Sequence, residues 1–463
     1  MGRWIQLPQL DGSQRRERIK DVDCRAAPQR YHADMTYPNE ITIRPISRPI
    51  DRTFCLPGSK SLTNRALLVA ALARGTSVLS GILIADDTRL MVDALVMLGV
   101  HVEVDVARRR AVVYGVGGFF PNSEAELECG NAGTVIRFLS AACAAAVGEF
   151  RLDGSPRMRE RPIGELVNAL RDLGAAIRYE SVEGLCPLAV SGKGLRGGQV
   201  TFERPISSQF VSAVLLAAPR AANDVMIRVE GGLLSAPYVR MTLDVMRAFG
   251  VEVIDDTMSS FIIPAPQAYQ AREYPIEPDA SAASYFLAAA ALTGGRVTVK
   301  GLGKGSAQGD IGFVHVLEQM GCAVDQGDQY TTVHGPADGR LRGVSVDLGD
   351  MPDVAQTLAV LAAFAEGPTH IRNVGSLRVK ETDRLFAVSR ELARLGVETE
   401  VTQDSIVIRP TKRPAGAMIE TYDDHRMAMS FALAGLRVDG VVIKNPGCVS
   451  KTFPEFFEVW GEL

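Results

Sequence analysis

Apolar residues recur at helical spacing in residues 56–75, LPGSKSLTNRALLVAALARG, where Leu62, Ala66, Val69 and Ala73 fall three or four apart. Ser59 or Ser61 is placed to cap this helix, and Gly75 suits the left-handed position that follows a helix end. Further along, five segments end a helix on a bulky pair and a glycine and then resume as a strand: ALVMLGVHVEV, ALRDLGAAIRY, VMRAFGVEVI, VLEQMGCAVD and ELARLGVETEV. Their glycines, Gly99, Gly174, Gly250, Gly321 and Gly396, recur roughly 75 residues apart, a spacing suited to a βαβαββ-sized unit rather than a solenoid repeat. A sixth, weaker unit is read over residues 431–443. The pattern predicts an α/β protein whose units divide into two domains of three.

The segment EYPIEPDAS, rich in proline and acid, places a boundary at residues 275–278. Residues 41–43, just ahead of Pro45, read as the first ordered strand and are expected to join the second half. One domain is therefore expected over 59–276 and the other over 39–58 plus 277–463. Residues 1–38 carry Pro8, Pro28 and Pro38, mixed charge and no apolar periodicity, and are read as a disordered extension, with Met35 as an alternative start.

Candidate chemistry gathers at predicted helix starts. Lys60 and Ser61 fall in the first turn of the helix described above, and Arg65 lies one turn on, where free N–H groups and the helix dipole favour an anion. Asn131, Gly133 and Thr134 head a small-residue helix, and Arg157, Arg159 and Arg161 precede one that Pro162 is expected to begin. Ser207, Ser208 and Gln209 start another, with Ser235 and Tyr238 following. In the second half the corresponding groups are Asp279, Asp353, then Lys380, Glu381 and Arg384, then Asp424, His425 and Arg426, and finally Lys451. Simpler roles exist for some: Asp279 and Asp353 as N-caps, His425 as a surface histidine, Arg157 and Arg159 as partners of Glu160 or Glu165. Capping alone has no use for Lys60, Arg65, Arg161, Lys380, Arg384, Arg426 and Lys451 where the dipole disfavours cations. A shared anion explains them together, with Glu381 and Asp353 left to move protons.

Composition narrows the partners. The chain has 463 residues, a charged fraction of 22%, a hydrophobic fraction of 46% and a formal net charge of −4. No basic face interleaved with aromatics is present, so nucleic acid is not an expected partner. No stretch approaches the roughly 20 apolar residues a membrane helix needs. Seven dispersed cysteines without C-x-x-C point to neither a disulfide framework nor a zinc site, which fits a reducing cytoplasm. Glycine-rich nucleotide loops, a G-x-S-x-G elbow and H-E-x-x-H are all missing from the sequence.

GSKSLTNRAL, GNAGT, PRMRERPIG, SSQF, DASAASYF, RVKETDRL and DDHRMAM, in this order, resemble the 5-enolpyruvylshikimate-3-phosphate synthase family, from about residue 41 to the C-terminus. The resemblance implies an inside-out α/β barrel of the enolpyruvyl transferase type, two domains each of three βαβαββ repeats, closing over two substrates. It implies transfer of the enolpyruvyl group of phosphoenolpyruvate to the 5-hydroxyl of shikimate 3-phosphate, in the route to chorismate, by a monomer without metal or organic cofactor. Carried over to this chain, it places Lys60, Ser61, Arg65, Ser207, Ser208, Gln209, Ser235, Asp353 and Lys380 on shikimate 3-phosphate, held mainly by residues 59–276. Lys60, Asn131, Gly133, Arg161, Gln209, Arg384, Arg426 and Lys451 fall on phosphoenolpyruvate, with Thr134 shaping the loop. Asp353, Glu381 and Lys60 take the proton-transfer roles. Ser376, where relatives often have asparagine, is left outside the site, and Gly133 implies sensitivity to glyphosate.

Two alternatives remain at this point. UDP-N-acetylglucosamine enolpyruvyltransferase shares fold and donor, but calls for a lysine–asparagine pair where this chain has Lys60-Ser61, and for a reactive loop cysteine. Cys129 and Cys143 instead lie in strand and helix patterns and are expected to be buried. A catalytically silent anion-binding protein of the same fold would have lost clamp or proton-transfer residues, and these are present.

Overall fold

A computed structural model describes residues 37–463; the expected extension over residues 1–38, and Met35, fall almost wholly outside them. Six helices are buried nearly all round. We label them α1 (Lys60–Leu72), α2 (Gly133–Ala145), α3 (Ser208–Ala217), α4 (Ala280–Thr293), α5 (Ala355–Ala362) and α6 (His425–Gly435). Helices α1 to α3 belong to one hydrophobic core, running from Leu62 to Ile276, and α4 to α6 to a second that also takes in Ile43, Ile50, Phe54 and Leu56. Alanine, leucine and small residues cover every face of these helices, so they sit inside while the sheets wrap around them.

Among the described residues five sheets have four strands each. In the first core they are built on Arg74–Ser80, Val147–Asp153 and Val225–Glu230, and in the second on Arg296–Lys300 and Thr369–Arg372. The chain crosses between cores twice. Asp51–Phe54 pairs in parallel with Arg296–Lys300 of the second core, and Glu273–Pro275 pairs in parallel with Arg74–Ser80 of the first. Where the two crossings pass, Gly58 bridges Pro278. The sixth unit departs from the four-stranded pattern. Val441–Lys444 pairs with Met418–Ile419 and, antiparallel, with Glu40–Ile43, so the first strand among the described residues completes the last sheet. Beyond it Phe453, Phe456 and Trp460 pack on Phe286, with Phe456 and Trp460 stacked at 5.1 Å, and this aromatic plug anchors the turn Pro446–Lys451.

The five repeat glycines all have positive φ, from +78° to +106°. Each closes the same pair of bonds, as in Gly396 N–H to Ala393 O and Val397 N–H to Leu392 O, so each helix ends in a Schellman motif. In the third unit the strand starts at Ile254, three residues later than the spacing implied. Two terminus expectations need correction. Ala73 is extended and passes the chain straight into a strand, so α1 stops at Leu72 and Gly75 lies within that strand, opposite Gly115. Ile163 rather than Pro162 precedes the helix Gly164–Asp172; the Pro162 carbonyl instead accepts from Arg137.

Candidate active site

The N-termini of the central helices meet at a cleft between the cores. It is lined by Lys60, Ser61, Arg65, Gly133, Thr134, Arg161, Ser207, Ser208, Gln209, Ser235, Asp353, Lys380, Glu381, Arg384 and Arg426, and also by Ile206, Leu234, Tyr238 and Ser376. Asn131 and Lys451 stand directly behind: Lys451 Nζ donates to the Asn131 carbonyl at 2.9 Å, and Arg161 Nη1 to Asn131 O and Oδ1 at 2.9 and 3.0 Å.

Local capping puts these groups in place. Ser59 caps α1, and Asp279 caps α4 while also accepting the Lys60 amide at 3.1 Å, so one carboxylate ties the two helix starts together. The reading of Asp279 as a cap is thus right but incomplete. Asp353 caps nothing; it sits inside the 3-10 turn Pro352–Val354, where Arg384 Nη1 reaches it at 3.1 Å and Arg426 Nη2 at 2.8 Å. Arg384 spans three carboxylates, adding Glu381 at 2.9 Å and Asp424 at 2.7 Å. Across the cleft, Arg161 and Lys451 approach Glu381 Oε1 at 3.9 and 3.8 Å. Among Arg157, Arg159 and Arg161, only the last enters the site. Arg157 pairs with Glu160 and donates to the Lys380 and Glu381 carbonyls, and Arg159 pairs with Asp153 rather than Glu165.

Opposing effects set the titration of these groups. Burial alone would raise the Asp353 carboxyl, but Arg426, Lys380, Arg384 and Lys60 hold it well below the usual range. Burial likewise works against ionised Glu381, and Arg384, Arg161 and Lys451 overcome it. Lys380 is pushed down by burial and forms no ion pair among the described residues, leaving its ammonium for a ligand. Lys60, Arg161, Lys380, Arg384, Arg426 and Lys451 outnumber Asp87, Asp353, Glu381 and Asp424, so the cleft is electropositive.

Arg65 is the least available predicted residue. Its guanidinium lies over the Phe138 ring and bonds Thr242, Ser61 O and Tyr238 O, and burial lowers it to about 10. His425 is no surface histidine: it is 1% exposed, neither ring nitrogen has a hydrogen-bond partner among the described residues, and burial with the neighbouring Arg426 keeps it neutral. Sequence reasoning missed Asp87, whose carboxylate joins Lys60 at 3.2 Å to Lys451 at 2.5 Å. In the string ADDTRL it reads as an ordinary first-turn acid. Tyr238 and Ser376 also line the cleft, the latter against expectation.

Residues 45–460 match the family model for EPSP synthase (3-phosphoshikimate 1-carboxyvinyltransferase). The chain belongs to the EPSP synthase family. The 3-phosphoshikimate 1-carboxyvinyltransferase of Nostoc punctiforme is 49% identical over 417 residues, covering 90% of this chain and 97% of its own. The one from Vibrio atlanticus is 48% identical over 420 residues, covering 90% and 98%. The solved EPSP synthase of Acinetobacter baumannii superposes with a TM-score of 0.76 at 28% identity, covering 91% of this chain and 98% of that one. The enolpyruvyl transferase NikO of Streptomyces tendae, at 20% identity and a TM-score of 0.73 over 92% and 96% of the two chains, shares the fold. In this EPSP synthase family member Cys129 and Cys143 are fully buried, with their thiols pushed far up by burial, so neither supplies the reactive cysteine of the UDP-N-acetylglucosamine enzyme.

Proposed function

We propose that this cleft carries out the transfer that the family name describes: the 1-carboxyvinyl group of phosphoenolpyruvate passes to the 5-hydroxyl of shikimate 3-phosphate, and phosphate leaves. The observation that carries the reading is the meeting of cations from both cores around two carboxylates, Asp353 and Glu381, in one cleft. Residues 59–276 supply the shikimate 3-phosphate side through Ser61, Arg65, Ser207, Ser208, Gln209 and Ser235, joined by Lys380. Residues 39–58 and 277–463 supply the phosphoenolpyruvate side through Arg384, Arg426 and Lys451, joined by Lys60, Asn131, Gly133, Arg161 and Gln209. Charge-assisted hydrogen bonds of about 1.5–3 kcal/mol each bring two mutually repelling anions together.

Asp353 takes the proton of the 5-hydroxyl as its oxygen attacks the enol carbon, and Glu381, assisted by Lys60, protonates the methylene. Phosphate then leaves as that carbon gives a proton back. Held this strongly ionised by its cationic neighbours, the Asp353 carboxylate is by itself a weak base. Bound phosphate and carboxylate groups compete for Arg426, Lys380 and Arg384, so substrate binding itself raises its proton affinity. Glu381 is released in the same way when phosphoenolpyruvate engages Arg384, Arg161 and Lys451. We read the enzyme as a cytoplasmic monomer; no helix among the described residues is long and apolar enough to cross a membrane.

The test is phosphate release from phosphoenolpyruvate given shikimate 3-phosphate or UDP-N-acetylglucosamine. Release with the shikimate substrate alone is expected. Release with the nucleotide sugar would reassign the acceptor, and binding without release would make this an anion-binding protein.

A further inference from the structure

Asp310 lies in the 3-10 turn Gly309–Gly312, is 4% exposed, and has no part in the transfer as described above. The turn is pressed against the helix Ala236–Ala248 of the other core: a Cβ on Gly309 would sit 2.6 Å from Pro237 Cβ. From that helix the Tyr238 hydroxyl reaches Asp310 Oδ2 at 3.2 Å and Oδ1 at 3.4 Å, and Asp353 Oδ2 at 3.4 Å. A phenol donates one hydrogen bond, so it serves one carboxylate at a time. Asp310 also accepts from Ser281 Oγ, which accepts from Arg426 Nη2 at 3.3 Å, and that same nitrogen pairs with Asp353 at 2.8 Å. Two routes therefore run from Asp310 to the Asp353–Arg426 pair.

We propose that Asp310 is a positioning residue for the transfer, acting on the base Asp353 through the shared Tyr238 hydroxyl and through Ser281 and Arg426. The inference rests on Asp353 being the base. Asp310 is faced by Asp353 from the turn Pro352–Val354, Arg426 from α6, Asp279 and Ser281 from the start of α4, and Tyr238. Nearby Glu277 is engaged with Ser306 and Gln308, and on the adjoining helix Phe313–Gln319 His315 pairs with Glu318 at the surface. Burial and the Asp353 charge raise the Asp310 carboxyl to about 6. Below that pH Asp310 is neutral, the Tyr238 hydroxyl serves Asp353, and the base is weakened. Above it, ionised Asp310 draws the hydroxyl away and its charge repels that of Asp353, which strengthens the base.

Asp310→Asn keeps the shape and removes the charge. The readout is the ratio of kcat for the variant to that of the unsubstituted enzyme, at saturating shikimate 3-phosphate and phosphoenolpyruvate, across pH 5 to 8. The ratio is expected to stand close to one at pH 5 and to fall through pH 6 to about one third at pH 8, because a change of about one pKa unit in a base that takes up its proton only partly in the transition state is felt only in part in the rate. A flat ratio, whether near one or uniformly low, would overturn the proposal, because a purely structural role loses activity equally at every pH. Tyr238→Phe, with Asp310 intact, gives a second reading should Asp310→Asn fail to fold. Its profile is expected to lose part of the rise through pH 6, and an unaltered rise would overturn the proposal. Asp353→Asn separates the two readings: full activity in that variant removes the base itself, whereas an inactive Asp353→Asn beside a flat Asp310→Asn ratio removes only the role of Asp310.

Discussion

Replacing Asp353 with asparagine removes the base and leaves its shape. General-base catalysis contributes about 10²–10⁴-fold, or about 2.7–5.4 kcal/mol of barrier, and kcat should fall by that factor. Binding should respond differently. Asp353 Oδ2 holds Arg426 Nη2 at 2.8 Å and Oδ1 holds Arg384 Nη1 at 3.1 Å, so the carboxylate competes with any anion for both guanidinium groups. Asparagine ends that competition, and the Kd for phosphoenolpyruvate should stay level or tighten. Stability should fall as well, by about 3–5 kcal/mol at most, since buried Arg426 has no other carboxylate partner among the described residues, whereas Arg384 keeps Glu381 at 2.9 Å and Asp424 at 2.7 Å. Single-turnover phosphate release measures the chemical step, and equilibrium binding of labelled phosphoenolpyruvate measures affinity. A loss of affinity matching the loss of turnover would refute the reasoning, by making Asp353 a structural counter-ion rather than a base.

Gly133→Ala should raise the KM for phosphoenolpyruvate and raise the glyphosate concentration needed for half inhibition still more. The added Cβ would stand 2.7 Å from Arg137 Nη1 and 2.9 Å from Arg161 Nη2, so the clamp must shift; unchanged inhibition would count against the placement of that clamp. Gly396→Ala meets no atom within 4 Å but must hold φ at +78°, and should cost about 1–2 kcal/mol, read by urea denaturation, with kcat unaltered. Between about pH 6.5 and 6 acidification should destabilise the protein through His425, and below about 6 the buried Asp310 carboxyl, which holds its proton more tightly folded than unfolded, opposes this. Burial depresses the His425 pKa, so the unfolded chain binds the proton that the folded one refuses, and stability rises with pH across that window. His425→Gln should flatten this dependence in thermal unfolding scanned from pH 7 to 5, and an unaltered slope would assign it to other groups.

What the sequence determined by itself is what interactions within four or five residues decide. Ser59, Ser207, Asp279 and Asp424 cap helices because each side chain reaches an amide two or three positions on. The five glycines end helices because only a left-handed residue closes the Schellman bonds, and so the repeat was legible without any tertiary contact. Motif order was enough to mark most cleft residues, because most lie at or just before such a helix start, whereas Asp353 and Lys451 sit in 3-10 turns. Tertiary structure decided the pairings. Asp87 meets Lys451 across 364 positions, Asp310 meets Tyr238 across 72, and Glu40–Ile43 finds its partner strand some four hundred residues away. Their strings look ordinary because an acid in a first turn or a glycine-flanked aspartate carries no local mark of what will face it. Burial was equally hidden for His425 and Arg65, since the desolvation that keeps one neutral and weakens the other comes from residues far along the chain. Local chemistry thus set which helix starts could bind an anion, and long-range packing, which alone controls dielectric and charge partners, set the protonation each group has once there.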